Sequence, residues 1–132
     1  MKKIIGLTLA SILISVSATF GQASKKVNWA EMKAFHSFIS TTFHPVEEGN
    51  FAPLKQKADS LEITAKQWQS STIPSNYKPA ETKEALAKLV TKTSQLNKAV
   101  KANESDDNLK KLITETHDIF HHIVGECKKG DE

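Results

Sequence analysis

Five histidines stand in a chain of 132 residues, at His36, His44, His117, His121 and His122. A neutral imidazole is a good ligand for zinc, copper, nickel or iron, whereas thioethers and thiolates favour copper(I) and haem iron. Met32 and the single cysteine, Cys127, are the softer donors. Met32 and His36 are four residues apart, as are His117 and His121. On a helix that spacing puts both side chains on one face, which is how a helix offers two ligands to one ion. One cysteine rules out an internal disulfide framework and a four-cysteine zinc site. There is no Cys-x-x-Cys-His, so covalent haem attachment is excluded. Nucleophile motifs, glycine-rich phosphate loops, paired catalytic carboxylates and the Glu-x-x-His repeats of di-iron sites are all missing. Binding or electron transfer, rather than catalysis, is the expectation.

The elements that must position these residues read as helices throughout. Asn28 with Glu31 forms a candidate capping box, and Met32, Phe35, Ile39 and Phe43 follow at helical spacing. Pro45 predicts an end at His44, because the residue before proline is driven from helical geometry. Asn50 is a candidate cap for the second helix, whose seam is Leu54, Ala58, Leu61, Ala65 and Trp68. Pro79 suits the first turn of the third, with Leu86, Leu89, Thr93, Leu96 and Val100 as its apolar face. Ser105 caps the fourth, Asp106 and Asp107 favour its N-terminus, and Gly125 is its expected C-cap. Leu109, Ile113, Thr116, Phe120 and Ile123 form its stripe. The predicted helices cover about 29–44, 51–71, 79–102 and 106–124. Three short connections imply an all-α, antiparallel up-down-up-down four-helix bundle.

Residues 1–23 read as a cleaved signal peptide. Lys2 and Lys3 precede an apolar run from Ile4 to Val16, and Gly21 and Ala23 suit the cleavage positions. Cleavage leaves 109 residues, 24–132, as the bundle domain, and losing Lys2 and Lys3 lowers the formal charge from +3 to +1. All 18 basic residues are lysine. A near-neutral chain without arginine is a poor match for nucleic acid. The expected location is periplasmic or secreted, with no membrane span in the mature chain.

In such a bundle the first and last helices are neighbours. Counting from their ends puts Met32 opposite His121 and His36 opposite His117, as two rungs roughly 6 Å apart. Cys127 falls just beyond the first rung. His36 lies on the apolar stripe, His44 near its boundary, and His122 points towards solvent. Glu115, Asp118 and Glu126 are candidate acceptors that fix imidazole tautomers.

The layout resembles the cytochrome b562 and cytochrome c′ group of periplasmic four-helix bundles. Met32, in Asn28-Trp29-Ala30-Glu31-Met32, stands where the b562 type has its axial methionine early in the first helix. Thr114-Glu115-Thr116-His117-Asp118-Ile119-Phe120-His121 is similar to the closing helix, with His121 at the histidine position. The Thr72-Ile73-Pro74 break also falls where that group has a proline-containing loop. The resemblance implies haem b held by Met32 and His121 for electron transfer. His36 and His117 are not needed by such a haem, and Phe35, Phe43 and Phe120 are bulky where a porphyrin would lie.

The leading expectation is therefore a transition metal (zinc, copper or nickel) held by His36, His117 and His121 between the first and fourth helices. Met32, His44 and Cys127 are subsidiary ligands. Haem b is the alternative. A third reading is a periplasmic interaction or stress protein without metal, using its amphipathic helices and Phe38 for a partner.

Overall fold

The computed structural model describes residues 28–130; the expected signal peptide lies outside the described residues. Four α-helices account for most of it: α1 Ala30–Glu47, α2 Ala52–Ser70, α3 Pro79–Lys101 and α4 Asp106–Gly125. Among the described residues there is no strand, and none of the helices is long and apolar enough to cross a membrane. Each helix packs on two others, α1 on α2 and α4, α3 on α2 and α4. The α1–α4 seam is the loosest of the four. That seam carries most of the histidines.

The apolar stripes close into one core. Every expected seam residue of α2 and α4 is buried, as are Leu86, Leu89, Thr93 and Leu96 of α3 and Phe35, Ile39 and Phe43 of α1. At one end Trp29, Phe35, Trp68, Tyr77 and Phe120 pack ring to ring. Trp29 meets Trp68 edge-on at 5.5 Å and Tyr77 at 4.9 Å, and Trp68 lies 6.0 Å from Phe120. Offset and edge-to-face pairs of this kind add about 0.5–1.5 kcal/mol each beyond simple burial. Phe38, expected to serve a partner surface in the reading without metal, is partly buried against the core.

The helix ends differ from expectation where tertiary contacts compete with local signals. α1 does not stop at His44 but runs through Pro45 to Glu47. Proline forfeits one intrahelical bond a single turn from the end, and burial of Val46 outweighs that loss. The turn closes as a Schellman motif: Asn50 N–H donates to Pro45 O at 2.8 Å and Gly49 N–H to Val46 O at 3.0 Å. Gly49 takes φ +84°, the left-handed conformation this motif needs. α3 ends in the same way, with Asn103 at φ +51°.

At the start of α1 the boundary residue is Trp29, with no side-chain cap, so the Asn28–Glu31 box does not form. The Trp29 indole is drawn into the core instead, donating from Nε1 to Ser71 Oγ at 2.8 Å. Asn50 does accept from the Ala52 amide at 3.2 Å, although Phe51 is the boundary residue of α2. Ser105 caps α4 as expected, accepting from Asn108 N–H. Gly125 is not its C-cap; it is the last helical residue, and Glu126 follows in near-helical geometry.

The segment after α4 docks on the α2–α3 connection. Lys78 N–H donates to Cys127 O and Lys129 N–H to Asn76 O, both at 2.8 Å. These bonds decide where Cys127 goes.

Candidate metal centre

Among the described residues, no three histidine, cysteine or carboxylate side chains converge on a ready-made metal position. The structure does bring two together. His117 and His121, one turn apart on α4, approach with their Nε2 atoms 3.1 Å apart. An ion 2.0–2.1 Å from both nitrogens would subtend about 100° between them, close to a tetrahedral angle. The i, i+4 spacing puts both rings on one face of α4, and with their centroids 4.3 Å apart they must open slightly to share an ion.

His117 is the better anchored of the pair. It is half-buried, and its ring stacks on Phe43 with centroids 3.8 Å apart and planes 13° from parallel. Burial pushes its pKa down, and the neighbouring His121 and His44 push the same way against Asp118 and Glu47. A lowered pKa keeps the imidazole neutral, the form that coordinates. His121 is exposed and lies edge-on to Phe120 at 5.6 Å.

From α1, His44 rather than His36 faces His117, with ring centroids 6.3 Å apart and the rings nearly perpendicular. His44 Nδ1 lies 3.3 Å from Glu47 Oε2, one turn on. Two imidazoles sharing an ion through Nε2 have centroids roughly 5–6 Å apart. His44 is exposed, so packing does not fix its ring at that separation.

The two-rung arrangement does not form. His36 is exposed and stacks on Phe120 at 5.2 Å with planes 4° from parallel; Phe120, not His117, is its partner. Two causes combine. The buried set of α1 also includes Thr42 and Val46, so the stripe centre lies roughly 75° from His36. The register against α4 is set by large rings, Phe35 on Phe120 at 5.9 Å and Phe43 on His117, and not by distance from the helix ends. Met32 is only partly buried, packed against the core rather than aligned with the histidines.

Cys127 is not with the histidines either. It is buried under the docked tail, where Thr82 of α3 and Tyr77 are its neighbours and desolvation raises its pKa. His122 faces solvent as expected, with Nδ1 2.7 Å from Glu126 Oε2. Glu126 is thus engaged elsewhere. So is Glu115, which accepts from Lys92 Nζ at 2.6 Å. Glu47, the carboxylate that does reach a histidine of the α1–α4 seam, went unrecognised because the helix was expected to end before it. Its i, i+3 spacing from His44 was the available signal.

Phe35, Phe43 and Phe120 fill the interior between α1 and α4, where a porphyrin would lie. The residues present do not fit a buried haem. No family model matches the chain, nor does any curated protein or solved structure, and none of these comparisons identifies a cytochrome b562-type protein.

Proposed function

We propose that this is an exported protein that binds a transition-metal ion, zinc, copper or nickel, at the α1–α4 seam of an antiparallel up-down-up-down bundle. The observation that carries the reading is the His117–His121 pair, with Nε2 atoms 3.1 Å apart on one helix face. Ring stacking on Phe43 restrains one member of the pair, which lowers the ordering cost of coordination. Export rests on the basic and apolar N-terminal sequence. The alternating helix direction is supported by the Trp29–Ser71 and Asn97–Asp59 bonds, which tie the start of α1 to the end of α2 and the first half of α2 to late α3.

Chelator-competition titrations with zinc, nickel and copper(II) test the reading. The expected result is one ion per chain, lost in His117→Ala and in His121→Ala and retained in His36→Ala. If the His117→Ala/His121→Ala double variant holds the ion as tightly as the parent, the pair is incidental and the proposal fails.

A further inference from the structure

The contact between His44 and Glu47 bears on how such an ion is held, and its significance rests on the ion-binding reading proposed for the α1–α4 seam. An imidazole whose Nδ1 is engaged by a carboxylate carries its proton on that nitrogen. Its lone pair is then on Nε2, although free imidazole side chains favour the opposite tautomer. His44 Nδ1 is the atom that faces Glu47 Oε2. On α4, too, the atoms that approach one another are the Nε2 nitrogens of His117 and His121. One Nε2 of the α4 pair donates to the other in the metal-free protein, and an ion replaces that shared proton, so Nε2 is the atom that all three rings turn to it. His121, Asp118, His44 and Glu47 all act electrostatically on His117, so the three rings and two carboxylates share one neighbourhood.

We propose that Glu47 is a positioning carboxylate that presents His44 Nε2 as the third ligand. With His117 and His121 it completes a three-imidazole site with a fourth position open to solvent. Three neutral nitrogens match a borderline divalent ion such as zinc, nickel or copper(II). Neither soft donor belongs to the set: Cys127 is held under the tail beside Thr82, and Met32 packs against the core. Copper(I) is thus a poor match. Glu47 also contributes a negative charge beside a site whose ligands carry none, favouring a divalent cation.

The test has two parts. Long-range 1H–15N correlation spectra of the metal-free protein above pH 7.5 identify which His44 nitrogen is protonated. The expected result is Nδ1–H in the parent and in Glu47→Gln, whose amide oxygen still accepts, with a shift towards Nε2–H in Glu47→Ala. Zinc affinity is then measured by chelator competition. Glu47→Ala is expected to weaken it roughly 10- to 100-fold, with Glu47→Gln within a few-fold of the parent. His44→Ala should lose at least as much as Glu47→Ala. Both positions are exposed, so folding is preserved, and circular dichroism checks this.

A parent His44 found as Nε2–H sinks the inference. So does a Glu47→Ala variant that binds zinc like the parent while His117→Ala does not bind, and that outcome leaves the ion reading standing. If the parent takes up no zinc, nickel or copper(II), both readings fall. Tight copper(I) binding that disappears in Met32→Ala or Cys127→Ser overturns the donor set.

Discussion

His117 and His121 differ from the other three histidines in what holds them. His117 is clamped face-on by Phe43, and His121 is placed by the helical repeat, so their Nε2 nitrogens meet. His36 stacks equally flat on Phe120 yet has no second imidazole as its partner, and His122 is turned towards Glu126. A cluster of histidines in a sequence is therefore a set of candidates, sorted by which aromatic ring each one lands on. Gly49 shows another constraint at this scale. Nothing lies within 4 Å of a Cβ built there, so the need for glycine is conformational, set by φ +84°. Gly49→Ala is expected to cost about 1 kcal/mol, read as a lowered urea midpoint with unchanged slope. Gly49→Asn should recover much of the loss, since asparagine at position 103 already serves the same turn on α3.

The helices themselves were legible because each carries a stripe at the helical period. The α2 and α4 seams are buried residue for residue as their spacing implied, because burial of an amphipathic face outweighs local preferences. Their ends were less legible, since caps compete with tertiary contacts. Trp29, buried in the core, takes the boundary position expected for Asn28, and Val46 drew α1 past its proline. Polar cross-links then tie neighbouring helices. Asn97 Nδ2 of α3 donates to Asp59 and Glu62 of α2 at 2.6 and 2.8 Å, and Lys92 of α3 meets Glu115 of α4. The Lys92 ammonium, hydrogen-bonded to Glu115, holds that carboxyl below its ordinary pKa against the opposing effect of burial. A lowered carboxylate pKa means the unfolded chain binds the proton more readily. The resulting stability is present above about pH 4.5 and is lost as pH falls through the lowered folded value. Urea midpoints measured from pH 6 to pH 2 should show Lys92→Met losing part of this acid sensitivity. An unchanged pH profile would place the sensitivity elsewhere.

At the scale of the whole molecule, Trp68 links the core to the histidine-bearing seam. It is fully buried and touches the rings of Trp29 and Phe35 from α1's side and Phe120 of α4. Phe120 in turn backs both His36 and His121. The Trp68 indole N–H has no hydrogen-bond partner among the described residues, so its contribution is packing. Trp68→Ala is expected to cost about 3–5 kcal/mol, a large share of the roughly 5–15 kcal/mol that holds a small domain folded. Thermal and urea unfolding measure that loss. Because Phe120 packs against Trp68, the variant should also broaden the His121 ring signals in NMR spectra.

Periodicity and composition alone determined four helices, the buried faces of α2 and α4 and the pairing of His117 with His121. Each of these depends on the repeat of one helix, which the order of residues states directly. Which α1 residue faces that pair was decided only in the folded molecule. Register between two helices is set by how large rings interlock, Phe35 with Phe120 and Phe43 with His117, and no count from either end contains that information. The same holds for Cys127, drawn out of the histidine neighbourhood by two backbone bonds between the tail and the α2–α3 connection.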